Sequence, residues 1–213
     1  MELKNTLNSI EKNSVRIEVF GLGYVGFPLS VRLTTGGLKV RGIDIDIEKI
    51  TRLEKNEFME SELFLKNEFI DAKINKKLEL AQRSKQENFP KIGIICVPTP
   101  IPQENRSSNI FVKAAVEDFL QTSKKGDIII LESSVEGGTT EKMQHIIESK
   151  GYKVGVDFGL CFCPERIDPQ NKKWNLENIP RIIYSSDDIT FKIIKKIYHD
   201  VNNADLFRVS SPK

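Results

Sequence analysis

The sequence predicts an α/β fold built on a doubly wound, mostly parallel β-sheet. Short apolar runs of strand length alternate along the chain with segments whose apolar residues recur at helical spacing. Residues 91–97 and 127–131 are almost continuously apolar, as in parallel strands buried on both faces. This alternation is typical of βαβ units. We therefore expect one sheet with helices on both of its faces.

Length and charge limit the possible functions. The chain has 213 residues, enough for one large α/β domain, and its 32 Lys and Arg nearly balance its 30 Asp and Glu. There is no basic face with interleaved aromatic residues, no apolar run of membrane-spanning length and no secretory signal, so we expect neither nucleic acid nor a membrane as partner. The three cysteines show no disulfide or zinc spacing. The composition predicts a cytoplasmic protein with reduced thiols. Along the chain, we expect residues 1–14 to be a polar arm or short helix and residues 15–213 to form the domain.

The most informative segment is a strand, a glycine turn and a helix. The strand pattern of residues 15–20 leads into the sequence Gly-Leu-Gly-Tyr-Val-Gly, and helical spacing follows over residues 27–35. Gly21 permits the tight turn, Gly23 removes a side chain where a pyrophosphate approaches the backbone, and Gly26 lets the helix pack close to the strand. The helix N-terminus then faces the phosphates. This arrangement predicts a Rossmann-like dinucleotide site.

The acid that reads the coenzyme ribose is predicted at Asp44. It ends a second strand, residues 38–43, about 20 residues after the glycine turn. A carboxylate there accepts hydrogen bonds from the ribose hydroxyls and repels a 2′-phosphate, which favours NAD over NADP. Asp46 is the expected N-cap of the next helix, residues 46–56. Lys49, in its first turn, either contacts the adenosine end of the coenzyme or is simply solvated.

The remaining elements follow from the same patterns. Thr139 or Thr140 is the expected N-cap of a helix that ends near residue 149. We predict helices over residues 57–83, where a short strand over residues 78–81 is an alternative for the last part, and further helices over residues 109–123 and 188–201. We predict strands over residues 91–97, 127–131, 159–163, 181–184 and 205–209.

Polar residues follow several of these strands, at the sheet edge where doubly wound folds bind ligands. Thr99, between two prolines, offers a hydroxyl near a nicotinamide ribose, although a purely structural turn fits the local sequence equally well. Ser134 follows the strand that ends at Leu131. Cys96 lies inside an apolar run with no nearby histidine, which indicates a buried, inert thiol.

A second candidate site lies between Pro164 and Pro169. Glu165 could activate water, and Arg166 could bind an anionic substrate, but a salt bridge within the loop is an equal alternative. Cys161 and Cys163 alternate on the preceding strand and are expected to be packing residues.

Taken together, these motifs resemble the N-terminal domain of the UDP-glucose/GDP-mannose dehydrogenase family, in particular its UDP-N-acetylhexosamine 6-dehydrogenase branch. The resemblance runs in order from Val15 to about Val209. It implies an enzyme of polysaccharide biosynthesis that oxidises the 6-hydroxyl of a UDP-sugar to a carboxylate with two NAD, and a homodimer or higher homo-oligomer. It also implies roles for single residues. Glu165 would assist hydrolysis of the acyl-enzyme, Arg166 and Ile167 would contact the substrate, and the NAD site would be lined by Tyr24, Val25, Asp44, Lys49, Thr99 and Ser134.

The chain departs from the family pattern mainly at its end. It stops at Lys213, where the family's long central helix begins, and it contains no Gly-Gly-His-Cys motif with the nucleophilic cysteine. We therefore expect this chain alone to bind NAD without turnover. Smaller departures are Gln170 in place of glycine, Ser134 in place of the common threonine, and residues 184–186 in place of a Gly-Gly pair. A β-hydroxyacid dehydrogenase-like reductase and a stand-alone NAD-binding sensor or partner module remain alternatives.

Overall fold

The computed structural model describes residues 2–100, 109–165, 179–201 and 205–212. Within these ranges eight strands form one sheet. The strands are β1 (Arg16–Phe20), β2 (Lys39–Ile43), β3 (Leu78–Ala81), β4 (Lys91–Ile95), β5 (Ile128–Leu131), β6 (Gly159–Phe162), β7 (Arg181–Ser185) and β8 (Leu206–Val209).

The helices connect and cover these strands. They are α1 (Glu2–Glu11), α2 (Gly26–Thr35), α3 (Ile47–Glu54), α4 (Lys66–Ile74), α5 (Ile110–Gln121), α6 (Thr139–Ser149) and α7 (Asp188–Val201). A 3-10 helix, Glu60–Leu65, precedes α4.

The strand order is β3-β2-β1-β4-β5-β6-β7-β8. Neighbouring strands from β3 to β6 are parallel, β7 is antiparallel to β6, and β8 is parallel to β7. The sheet is therefore mostly parallel, and the predicted fold class is confirmed.

The strand order creates a crevice beside β1. From β1 the chain moves outward to β2 and β3, then crosses back to β4 on the other side of β1. Phe20 at the end of β1 is in register with Ile95 at the end of β4 and with Ile43 at the end of β2. The segments that follow these strands diverge to opposite faces of the sheet, which leaves a ligand crevice at their carboxyl ends.

Apolar side chains fill both faces of the sheet. On one face, residues of α1, α2, α4 and α7 pack against alternate strand residues such as Ile17 and Val19. On the other face, α5 and α6 pack against residues such as Phe20 and Ile129. Every residue of β4 and β5 is buried, as expected for central parallel strands. The two cores pack against the strands on both faces and so position the strand ends beneath the crevice.

Two helix starts show how local sequence sets the element ends. Asp46 caps α3 as predicted, because its Oδ1 accepts hydrogen bonds from the backbone N–H groups of Glu48 and Lys49. The predicted N-cap of α6 is wrong. Gly138 is the N-cap, at a left-handed φ of 88°, and Thr139 and Thr140 are buried inside the first turn.

The segment ahead of the first strand takes the helical alternative. α1 buries Leu3 and Ile10, and the Thr6 hydroxyl donates a hydrogen bond to the Gly126 carbonyl at 2.7 Å. Across the described ranges, none of the helices is both long and apolar enough to cross a bilayer.

Candidate functional site

A cleft of about 870 Å³ opens at the carboxyl ends of the parallel strands. Its size suits a small organic ligand or cofactor. The structure brings nine of the residues singled out in the sequence into its lining: Gly21, Gly23, Tyr24, Val25, Asp44, Lys49, Thr99, Ser134 and Glu165.

The three glycines of the turn have different surroundings. Gly21 has φ 88°, and a Cβ there would lie 2.7 Å from the Cys96 carbonyl oxygen. At Gly26 a Cβ would lie only 1.9 Å from the Gly21 carbonyl oxygen. At Gly23, by contrast, a Cβ would meet nothing within 4 Å. Gly21 and Gly26 are therefore required for packing, whereas Gly23 leaves open space at the cleft wall.

The N-terminus of α2 reaches the same cleft. The residue before the helix is Val25, and among the described residues no side chain caps this helix end. Such an end presents N–H groups and the positive pole of the helix dipole, which favour a phosphate. The glycine turn and the start of α2 fit the pyrophosphate of a dinucleotide.

Asp44 lies at the end of β2, next to the glycine turn. Its Oδ2 accepts the Leu22 N–H at 2.9 Å and the Lys49 ammonium at 2.7 Å, while its Oδ1 accepts the Asp46 N–H at 3.0 Å. The carboxylate is thus held in place by backbone donors and paired with a lysine. Lys49 is therefore an ion-pair partner of the acid, a contact that neither sequence interpretation of this lysine anticipated.

Other residues in the lining were not singled out in the sequence. Ile45, Gln82 and Arg83 line the same cleft as Asp44, and an oxygen of the Asp118 carboxylate, on α5, lies 3.3 Å from the Arg83 Nη1. Gln82 and Arg83 directly follow β3, so their position at a strand end was the available signal.

Thr99 and Ser134 line the cleft beyond β4 and β5. The neighbouring Ser133 hydroxyl donates to the Val97 carbonyl at 2.7 Å, which ties the two strand ends together. The Ser134 hydroxyl lies 3.5 Å from the Glu165 carbonyl oxygen, at the limit of a hydrogen bond. The three predicted strand-end segments therefore meet at one part of the cleft.

Glu165, at this part of the cleft, belongs to a cluster of buried charged side chains. The Arg181 guanidinium donates to the Glu165 carboxylate through Nη2 and to the Glu132 carboxylate at 3.1 Å through Nη1. The Tyr198 hydroxyl also donates to Glu132. Burial raises the pKa of Glu132, an effect that the nearby Arg181 opposes. Glu132, Arg181 and Tyr198 were not predicted from the sequence. For Glu132 and Arg181, a charged residue at the end or start of a buried strand was the available signal.

The cysteines are free thiols. Cys161 and Cys163 are buried in the core, as predicted. Cys96 is only partly buried and lines the cleft floor or wall, with its Sγ 3.9 Å from a carboxylate oxygen of Glu132, so the expectation of a buried thiol is corrected. Burial, followed by the Glu132 charge, raises the pKa of Cys96 well above its ordinary value. The thiol is therefore protonated and a poor nucleophile.

Arg166 and Ile167, the predicted substrate contacts, lie outside the described residues, as does Gln170.

The residues of the cleft fit a bound dinucleotide, with a carboxylate that could take part in a reaction at one end of it. The open turn and the start of α2 suit a pyrophosphate, Asp44 suits a ribose diol, and Glu165 offers a carboxylate at the far end.

Comparison with known proteins agrees with this geometry. The NAD-binding domain model of the UDP-glucose/GDP-mannose dehydrogenase family matches residues 15–202. The chain is 28% identical over 201 residues to UDP-N-acetyl-D-mannosamine dehydrogenase of Pyrococcus horikoshii, covering 91% of this chain and 46% of the relative. It is 30% identical over 203 residues to UDP-N-acetyl-D-glucosamine 6-dehydrogenase of Salmonella typhi, covering 94% of this chain and 47% of the relative.

Solved structures lead to the same family. The UDP-N-acetyl-mannosamine dehydrogenase Cap5O from Staphylococcus aureus superposes with a TM-score of 0.83 at 27% identity, over 92% of this chain and 47% of that one. A 3-hydroxyisobutyrate dehydrogenase from Salmonella typhimurium shares only the fold, with 11% identity and a TM-score of 0.57 over 92% of this chain and 56% of that one. The chain spans about half the length of the curated relatives it matches. From the family match over residues 15–202, the chain belongs to the UDP-glucose/GDP-mannose dehydrogenase family and contains its NAD-binding domain.

Proposed function

We propose that this chain is the coenzyme-binding part of an NAD-dependent UDP-sugar 6-dehydrogenase that acts on an N-acetylhexosamine. One observation carries the proposal: the open space at Gly23 lies in the same cleft as Asp44 and Glu165. A dinucleotide placed on the glycine turn would have its ribose acid on one side and a carboxylate on the other. The names of the relatives support the choice of sugar class.

Each end of the coenzyme has residues in the cleft to hold it. Gly23 and the start of α2 hold the pyrophosphate, and Asp44 with Lys49 holds the adenosine ribose. Thr99 and Ser134 line the nicotinamide end. When bound there, NAD supplies the acceptor for hydride from the sugar.

Glu165 has the part of assisting water in the hydrolysis of the oxidised sugar from the enzyme. Glu165 lines the same cleft as Thr99 and Ser134, and its carbonyl oxygen lies 3.5 Å from the Ser134 hydroxyl. Arg166 and Ile167 follow it directly and are assigned to the substrate on the family resemblance.

We extend the proposal to the domain bounds, the cellular location and the oligomeric state of the protein. We take residues 15–213 as the NAD-binding domain, with the arm of residues 1–14 packed on it through α1. The cysteines are free thiols, as is usual in the cytoplasm, and we place the protein there, as a homodimer or higher homo-oligomer without nucleic-acid or membrane partners. The chain alone binds NAD and does not turn over.

The test is isothermal titration of NAD and NADP into wild-type protein, Asp44→Ala and Asp71→Ala. Asp71 is an exposed acid on α4 and serves as the matched control. Hydrogen bonds to a charged group contribute about 1.5–3 kcal/mol, so Asp44→Ala should weaken NAD binding by roughly 10- to 150-fold. The preference for NAD over NADP should fall in Asp44→Ala and remain in Asp71→Ala.

Three results would each contradict one part of the proposal. Wild-type protein that binds neither coenzyme would exclude a functional NAD site in this chain. Equal NAD affinity in wild type and Asp44→Ala would exclude Asp44 as the ribose acid. A mixture of NAD and UDP-N-acetylhexosamine that yields steady NADH with this chain alone would overturn the expectation of no turnover.

A further inference from the structure

Behind the catalytic end of the cleft lies a cluster of four buried polar side chains, the Arg181 cluster. It consists of Glu132 after β5, Glu165 after β6, Arg181 at the start of β7, and Tyr198 in α7. The Arg181 guanidinium contacts both carboxylates, one through each terminal nitrogen. The Arg181 Cζ, the central carbon of the guanidinium, also lies 4.5 Å from the centre of the Tyr198 ring, and the Tyr198 hydroxyl donates a hydrogen bond to the Glu132 carboxylate. Four separate elements of the fold therefore meet at one guanidinium.

Burial makes this contact unusual. The side chains of Arg181, Glu132 and Glu165 are 1%, 0% and 5% exposed. Buried ion pairs are weak evidence for stability, because removing two charges from water costs about as much as their attraction returns. A requirement for stability alone therefore does not account for the cluster.

Only part of the Arg181 cluster reaches the cleft. Glu132 and Glu165 line the cleft, whereas Arg181 and Tyr198 lie behind them. Arg181 can therefore act on a ligand in the cleft only through the carboxylates that it contacts.

We propose that Arg181 is a positioning residue for Glu165, and that Glu132 and Tyr198 hold Arg181 in its place. The inference deepens the proposed function and rests on it for the role of Glu165. The planar guanidinium presents its two nitrogens in a fixed fork, so that one carboxylate anchors it while the other is oriented by it. The Tyr198 ring packs against the guanidinium and restricts its rotation. The Glu165 carboxylate is thereby kept at one orientation in the cleft, as a group that must aim a water molecule requires.

The chain offers a matched control at another part of the sheet. Arg41 in β2 is also buried. Its Nη1 donates to the Glu18 carboxylate, and its Nη2 donates to the Glu87 carboxylate at 2.7 Å. None of these three side chains lines the cleft. Arg41→Lys therefore removes an equivalent buried guanidinium without a connection to Glu165.

The experiment measures the Glu165 side chain directly in this chain. Protein labelled with ¹³C at the glutamate carboxyl carbon is studied by NMR at one fixed pH, and the Glu165 signal is assigned by its loss in Glu165→Gln. The variants are Arg181→Lys, Glu132→Gln and Arg41→Lys. Thermal unfolding reports the stability of each variant, and titration calorimetry reports NAD binding.

We expect the Glu165 signal to move or to split in Arg181→Lys, because a lysine ammonium lacks the planar fork. The same signal should move less in Glu132→Gln and stay in place in Arg41→Lys, even where Arg41→Lys lowers the unfolding temperature. NAD affinity should change by no more than about twofold in Arg181→Lys.

A Glu165 signal that is unchanged in both Arg181→Lys and Glu132→Gln would overturn the proposal. If Arg181→Lys does not fold, Glu132→Gln decides alone. A wild-type chain that fails to bind NAD while its Glu165 signal responds to Arg181→Lys would reject the proposed function and leave the positioning contact standing.

Discussion

Alanine at Gly23 and alanine at Gly26 should damage this protein in opposite ways. The two residues are three positions apart and belong to the same turn. A Cβ at Gly26 would lie 1.9 Å from the Gly21 carbonyl oxygen and 3.1 Å from the Cys96 Cβ, whereas a Cβ at Gly23 meets nothing within 4 Å. One change therefore affects folding and the other affects only what enters the cleft.

The size of each effect follows from these distances. Forcing an extra carbon into a packed site costs typically 1–3 kcal/mol, and the backbone contact at Gly26 places its cost at about 3 kcal/mol or more. For a domain of this size that corresponds to a fall in Tm of roughly 6–12 °C. Gly23→Ala should change the free energy of unfolding by no more than about 0.5 kcal/mol. It should weaken NAD binding by about 100-fold, or about 2.8 kcal/mol, because the methyl group occupies the space of the pyrophosphate.

Urea unfolding and NAD titration calorimetry measure the two quantities on the same samples. The expected pattern is a stable Gly23→Ala that does not bind and a destabilised Gly26→Ala. If Gly23→Ala binds NAD like the wild type, the pyrophosphate does not lie at Gly23. If Gly26→Ala unfolds at the wild-type urea concentration, the close contact between α2 and the turn has been misjudged.

Two further predictions concern charges. Burial raises the pKa of Asp127 from 3.8 to about 6 in the folded protein. The folded state therefore holds this proton more tightly, so the contribution of Asp127 to the free energy of unfolding is present below pH 4 and falls by roughly 3 kcal/mol as the pH rises to 6. Urea unfolding from pH 4 to 7 should show this loss in the wild type and not in Asp127→Asn, and equal slopes in both proteins would contradict it. Separately, Lys49→Met should weaken NADP binding about fivefold relative to NAD, because Lys49 partly neutralises Asp44 beside the ribose site. Calorimetric titration with both coenzymes measures this ratio, and an unchanged ratio would show that Lys49 has no part in coenzyme choice.

The features that the sequence predicted well are those encoded within short stretches of chain. The strands, the glycine turn and the α3 cap at Asp46 each depend on neighbours a few residues apart. The position of Asp44 beside the glycine turn could be predicted because a single βαβ unit sets the distance between the turn and the acid. The wrong N-cap of α6 also lies within a short stretch, since Gly138, directly before Thr139, is the N-cap and adopts a left-handed φ.

Contacts between distant segments were beyond the sequence patterns. Glu132 and Arg181 are 49 residues apart, and their pairing depends on β5, β6 and β7 being neighbours in the sheet. The position of Cys96 in the cleft floor likewise depends on the register of β4 beside β1. The ion pair between Lys49 and Asp44 spans only five residues, but lysine side chains are mostly exposed to solvent and surface ion pairs are weak, so the local sequence did not indicate the pairing.

The sequence by itself determined the fold class, the order of strands and helices and the dinucleotide turn, because periodicity and glycine placement act over a few residues. Only the tertiary structure decided which charged groups meet, namely that Arg181 lies between Glu132 and Glu165 and that Lys49 shares Asp44. The physical reason is that a charged side chain is stable in the protein interior only beside an opposite charge. Which charged groups become neighbours depends on the strand order of the sheet, which places distant segments side by side.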